Sequence, residues 1–288
     1  LEFRRVLFRS TLGLRTNEVL SEAQVEWIWV EGNPDPAGTH VSKMIGDQLL
    51  DGDYPEVNFD PAPALTSGAW YRVVYTGTDR AGNSSTTELG SLFFDNEPPV
   101  VSVLFPIENG FTNINEVSYT LNEPLLMANL IWTPIDGSGP LSIDMIGDEL
   151  KAGSFSQGKL TNQLDLTDGT IYNLSITAID RSGNEAELSL ANNVTYDKSK
   201  PKFTDVFPST SARVNSQLLK WTVNEELVSG KYTWIHMGGN ADPSAPHTFE
   251  LTPELLSAAS HDNSTLPDLA LVTDAMYRIT LQGTDKAG

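Results

Sequence analysis

The residues with the most chemical capacity in this chain are carboxylates, and they are not scattered. Aspartate recurs in TGTDRAGN (76–83), TAIDRSGN (177–184) and QGTDKAG (282–288), as Asp79, Asp180 and Asp285, spaced 101 and 105 residues apart. Glutamate recurs behind asparagine in Asn17-Glu18, Asn122-Glu123 and Asn224-Glu225. A further acidic stretch, Asp95-Asn96-Glu97, stands before Pro98-Pro99. Carboxylates act as paired acids and bases in catalysis, or they gather round a hard cation. A set that returns three times with its structural neighbours is not how an active site is built. No Ser-His-Asp set, H-E-x-x-H or phosphate loop accompanies it. The expectation is a protein that is not an enzyme.

Histidine offers one other chemistry. His40 and His247 each follow an aspartate, Asp35 and Asp242, by five residues. Asp and His can hold a transition metal, but two ligands in a loop of variable length fit an ordinary polar loop better. There is no cysteine, so disulfides, thiol catalysis and zinc–thiolate sites are excluded. The 18 Lys and Arg against 38 Asp and Glu give a formal charge of −20. Such a chain repels nucleic acid and anionic lipid and attracts cations. No run of 18 apolar residues exists to insert into a membrane.

The elements that carry these residues repeat as a unit. Trp27, Trp132 and Trp234 each lie ten residues after the Asn of Asn-Glu, and Gly32, Gly137 and Gly239 five residues further on. Leu-x5-Tyr-x7-Asp recurs at Leu65/Tyr71, Leu166/Tyr172 and Leu271/Tyr277. The joins match too, FDNEPPVVSVLFP (94–106) with YDKSKPKFTDVFP (196–208). A period just over 100 residues is the size of a complete domain rather than of a solenoid repeat. The expected organisation is repeat 1 at 11–96, repeat 2 at 97–198 and repeat 3 at 199–288. By this register repeat 1 lacks its first strand and repeat 3 its last.

Within each repeat, VSYTL (117–121), LKWTV (219–223) and YNLSITAI (172–179) alternate apolar and polar residues as half-buried strands do. Short strands broken by Gly, Asn, Asp and Pro predict an all-β fold, a tandem row of immunoglobulin-like β-sandwiches of about seven strands each. The tryptophans fall where such a domain keeps the core Trp of its third strand. The Leu-x5-Tyr spacing predicts a tyrosine corner. Asp-Arg-Ala-Gly-Asn reads as the tight turn before the last strand, Asp accepting backbone N–H groups and Gly taking the left-handed position.

Asn-Glu with its tryptophan, GGNADPSAPH (238–247), LTPEL (251–255) and Tyr-x7-Asp-x2-Gly together resemble bacterial immunoglobulin-like tandem repeats of very large secreted or surface proteins. The resemblance covers residues 11–288, and repeat 2 departs from it by a shorter loop lacking the Asp and His. It implies an extracellular or cell-surface stalk, extender or adhesive segment whose partner, a surface glycan or protein, is engaged through regions outside this stretch; the short proline-bearing joins and the mutual repulsion of acidic domains add the expectation of a monomeric rod. The rival reading is a carbohydrate- or protein-binding accessory module of a secreted enzyme. Aromatics exposed on one face of a single copy would favour it, whereas the aromatics that stand out recur in every copy.

Strand direction then places the acids. The chain enters each sandwich at the end carrying the second-to-third and sixth-to-seventh strand connections. Asp95, Glu97, Glu123 and Asp180 therefore meet where repeat 1 joins repeat 2, and four carboxylates there call for a hard cation. The expected ion is Ca²⁺. The plainer alternative is that Asp180 caps its turn and Glu123 is solvated. The second joint is expected to be weaker, because Lys198 and Lys200 flank Asp197. The joins contain Pro98-Pro99 and Pro201, which stiffen them.

Residues 1–10, LEFRRVLFRS, stand apart. They match neither other copy, and no apolar core follows their arginines as a signal peptide would need. They translate CTG GAG TTC AGA CGT GTG CTC TTC CGA TCT without mismatch, a common sequencing-library adapter. They are read as an adapter-derived artefact and excluded from fold and function. Without them the chain carries 15 basic and 37 acidic residues, a charge of −22.

Overall fold

The computed structural model describes residues 2–4, 12–57, 59–158, 160–263 and 268–288. Its first eight strands are β1 (Glu2–Arg4), β2 (Gly13–Thr16), β3 (Leu20–Gly32), β4 (Thr39–Met44), β5 (Gly52–Tyr54), β6 (Phe59–Asp60), β7 (Ala69–Asp79) and β8 (Ser84–Phe94). The next eight are β9 (Val101–Phe105), β10 (Phe111–Thr112), β11 (Val117–Leu121), β12 (Leu125–Pro134), β13 (Leu141–Met145), β14 (Gly153–Gly158), β15 (Thr170–Asp180) and β16 (Glu185–Tyr196). The last six are β17 (Phe203–Phe207), β18 (Lys220–Val223), β19 (Leu227–Gly239), β20 (His247–Glu250), β21 (Ser260–Asp262) and β22 (Ala275–Asp285).

The middle repeat shows the plan. A three-stranded sheet, β14-β11-β9, faces a five-stranded sheet, β10-β16-β15-β12-β13. The first strand is split between them: β9 pairs antiparallel with β11, and β10 pairs parallel with β16. Counting that split strand once gives seven, an immunoglobulin-like β-sandwich. The first repeat shares the three-stranded sheet, as β1-β2-β5, and the four central strands of the other, β4-β3-β7-β8, but its fifth strand, β6, pairs antiparallel with β4 at the opposite edge; the third repeat has β17-β18-β21 and β20-β19-β22.

One slot differs from the sequence expectation. β1 pairs with β2, Phe3 opposite Leu14, just as Val103 of β9 stands opposite Tyr119 of β11. An edge strand offers a row of unpaired N–H and C=O groups, and an extended segment close in sequence satisfies them whatever its origin.

Each repeat has its own core, and no core cluster mixes residues of two repeats. Alternation along β3, β12 and β19 turns Trp27, Trp132 and Trp234 inward, to 0 %, 2 % and 3 % exposure. Trp132 and Trp234 meet Tyr172 and Tyr277 edge-to-face, at 5.8 and 5.9 Å between ring centroids. These tyrosines and Tyr71 form the corners: the N–H of Thr66, Thr167 and Val272 donates to the hydroxyl of Tyr71, Tyr172 and Tyr277 at 2.8, 2.8 and 2.9 Å. The glycine after each tryptophan has a backbone reason. Gly32, Gly137 and Gly239 have φ of 97°, 84° and 81°, and a Cβ on Gly239 would stand 2.2 Å from the Asp274 carbonyl oxygen.

Candidate functional site: the acidic joints

The turn aspartates are built by the backbone around them. Asp180 ends β15, is fully buried, and accepts the N–H groups of Ser182 and Asn184 on Oδ1 at 2.7 and 2.9 Å. Its Oδ2 accepts the Asn184 amide at 2.8 Å. Asp79 makes the same bonds with Ala81 and Asn83, and Asp285 accepts from the N–H groups of Ala287 and Gly288. The Asn of Asn-Glu has a matching duty. Asn122 Oδ1 accepts the N–H of Val100 at 2.7 Å, and Asn224 Oδ1 that of Lys202 at 2.5 Å. Each fixes the entering linker beside the second-to-third strand turn.

The linker aspartate closes the group. Asp95 accepts Ser67 Oγ of the first repeat on Oδ1 at 2.9 Å, and its backbone carbonyl accepts the Asn184 amide at 3.2 Å. Carboxylate oxygens of Asp95, Glu123 and Asp180 thereby lie within 4.8 Å of one another. Glu97 stands outside that trio but inside its field. Glu123 is shifted up from the ordinary carboxylate range, first by burial, then by repulsion from Asp95 and Asp180, with Glu97 adding to it.

The second joint repeats the arrangement with Asp197, Glu225 and Asp285, again within 4.8 Å. Glu225 is pushed up by burial, then by Asp197 and Asp285, with Asp168 contributing. Lys198 and Lys200 do not prevent it, because both are exposed while Asp197 is half-buried. The neighbouring positions trade roles. Ser67 holds the linker at the first joint, whereas Asp168 at the second accepts the Lys198 N–H at 2.6 Å and Ser199 Oγ at 2.7 Å. The signal for this second trio was present in the sequence, since Asp197, Glu225 and Asp285 align with Asp95, Glu123 and Asp180. The flanking lysines obscured it. Lys286, next to Asp285, pairs with Glu226 at 2.7 Å and lies 5.5 Å from the Phe111 ring centroid of the preceding repeat.

Scans of protein-family models and of curated proteins return no match. Among solved structures, the chain is similar to the FN1–FN3 domains of chicken CNTN1, at 13 % identity, covering 99 % of this chain and 93 % of that one, with a TM-score of 0.33. It is also similar to a tetra-tandem repeat in the extending region of a large adhesion protein, at 19 % identity, 96 % and 71 % coverage and a TM-score of 0.29. Likeness at this level says nothing of activity or partner.

The Asp–His pairs are latches within their own repeats. Asp35 Oδ2 accepts His40 Nε2–H at 2.7 Å and the Tyr71 hydroxyl. Asp242 Oδ2 accepts His247 Nε2–H at 2.6 Å and the Tyr277 hydroxyl at 2.5 Å. Each aspartate also caps its own turn through the N–H of Ala37 or Ser244. The loop after the third strand is thus tied to the tyrosine corner by one buried oxygen, and neither set gathers a third metal ligand among the described residues. Hydrogen bonds from Tyr277 and then His247 hold the Asp242 carboxyl down from 3.8 to about 2. Asp35 is lowered too: burial opposes it, but bonds from Tyr71 and His40 outweigh burial.

A carboxylate lowered on folding stabilises above its unfolded pKa, and that stability is lost as pH falls through the folded value. The third repeat is therefore expected to weaken progressively between about pH 4 and pH 2. Asp242→Asn is expected to lower its melting midpoint by several degrees at neutral pH and to flatten this acid limb, as read by melting curves against pH. An unchanged acid limb in the variant would show that the latch carries no linkage.

Proposed function

We propose that the chain is a non-enzymatic spacer from a larger secreted or cell-surface bacterial protein of adhesive type, whose joints are stiffened by Ca²⁺. The observation that carries this reading is the acidic trio built twice, at both joints, from the same three positions. In each, one carboxylate belongs to the linker and two to the turns of the following repeat. Repulsion among them is relieved by a divalent ion, and oxygen ligands of mixed origin suit the flexible, six-to-eight-fold coordination of Ca²⁺. Asp95, Glu123 and Asp180, with Glu97 beside them, would hold one ion; Asp197, Glu225 and Asp285 another. An ion so placed fixes the angle between consecutive repeats, which turns a flexible string into a rod. Such a rod holds a distal binding head away from a surface.

The test is one titration read two ways. Millimolar calcium, against chelator, is expected to raise the melting midpoint by several degrees and to lengthen the maximum dimension in small-angle scattering. Protons compete for the same oxygens, and Glu123 is already shifted up by burial and its neighbours. The calcium effect is accordingly larger at about pH 7.5 than at about pH 5. A melting curve and a scattering profile both indifferent to calcium would remove the ion from the mechanism. A compact particle in both conditions would remove the rod.

A further inference from the structure

The outer face of the first repeat's five-stranded sheet carries a feature that neither other repeat has. Trp70 of β7 and Phe93 of β8 are cross-strand partners. Their ring centroids are 5.2 Å apart with planes tilted by 46°, and they are 37 % and 40 % exposed. The pleat explains the direction: Tyr71 faces the core, so Trp70 faces out. Ile171 and Thr195 occupy the matching pair of positions in the second repeat, and Met276 stands at the Trp70 position in the third. A role in the common scaffold would call for these aromatics in every copy.

The register surrounds the rings with polar groups of a particular kind. Glu31 of β3 is the partner of Trp70 on its other side. One step along the same face, Arg72 pairs with Ser91, and its guanidinium reaches Glu88 at 3.2 Å. Two exposed rings therefore stand beside acceptors, a fork of donors and a hydroxyl. Carbon-bound hydrogens on one face of a pyranose stack on aromatic rings, while its hydroxyls take up neighbouring carboxylate and guanidinium groups. Charge decides among sugars. Arg72 is already neutralised by Glu88, Glu31 adds a negative charge, and the chain carries −20. Uronates, sialates and sulfated glycans are repelled.

We infer that Trp70 and Phe93 form a platform for a neutral hexose glycan on the outer face of the first repeat. The inference does not depend on calcium at the joints. It is tested with the full chain by retardation in native gels containing a β-1,4-glucan, a β-galactan, an α-glucan or, as the anionic control, polygalacturonate. The expected result is retardation by at least one neutral polysaccharide and none by polygalacturonate. Trp70→Ala should weaken it tenfold or more, Phe93→Ala severalfold, and Ile171→Ala not at all. Trp70→Phe, which keeps an aromatic face, should restore most of it, so that loss in Trp70→Ala cannot be laid to misfolding. No retardation by any neutral polysaccharide overturns the inference. So does retardation unaffected by Trp70→Ala. So does a chain that dimerises in sedimentation through Trp70, for the patch is then a protein interface.

Discussion

Trp132→Ala is expected to destabilise the second repeat severely and leave the other two standing. Trp132 is 2 % exposed and sits among the buried side chains of the central cluster, with Tyr172 against it edge-on. Removing a buried indole leaves a cavity that the sheets cannot close, at a cost of about 3–5 kcal/mol. A domain of this size is stable by only about 5–15 kcal/mol. For about 100 residues each kcal/mol moves the midpoint by about 4–8 °C, so a drop of about 12–40 °C is expected in one calorimetric transition. The others should hold, because the three cores share no residue. Limited proteolysis reads the same event as cleavage confined to residues between the two joints. Leu126→Ala, at a side chain 50 % exposed, is the control and should change little. A uniform shift of all transitions would mean that the repeats unfold as one.

What the sequence disclosed follows from how local each signal is. The tryptophans, corner tyrosines and turn aspartates were legible because each role is set by spacing along one or two strands. Tyr71 lies six residues after Leu65, and Asp79 eight after Tyr71, which is enough to fix a corner and a turn. The joints were legible in part. Strand direction brought Asp95, Glu123 and Asp180 to one end, but it could not tell that Glu97 would stand beside the trio rather than in it. The second joint reads in the sequence as the weaker one, because Lys198 and Lys200 flank Asp197; both lysines are exposed, and Asp197, Glu225 and Asp285 come within 4.8 Å of one another. The first repeat's edge was unreadable for another reason. β1 pairs through backbone groups, which any extended residues supply, so composition carries no trace of it. Trp70 carries no repeat signal, since Ile171 and Met276 stand at its position in the other copies. Its position immediately before an inward tyrosine already placed it outside.

Two substitutions at Asp180 separate its two duties. The carboxylate is fully buried and accepts three hydrogen bonds from the turn it starts. Asp180→Ala leaves the N–H groups of Ser182 and Asn184 without their acceptor, at a cost of about 1–3 kcal/mol for each group left buried and unpaired. The second repeat should then lose about 2–6 kcal/mol, and should lose it in chelator as well as in calcium. Asp180→Asn is different. One oxygen remains to accept the two N–H groups, so the turn keeps its shape, but the charge is gone and the second position offers a donor toward Asn184's amide. Removing that charge also relieves Glu123, which is held up in part by Asp180. In chelator the asparagine variant is expected to melt somewhat below the parent, because two amide donors now face each other where Asn184 was accepted. In millimolar calcium it should fail to follow the parent upward, because an ion loses a carboxylate ligand and meets an amide nitrogen instead. The signature of a cation at the joint is therefore a difference that widens when calcium is present. If Asp180→Asn falls below the parent by the same amount in calcium and in chelator, the aspartate serves its turn and nothing more.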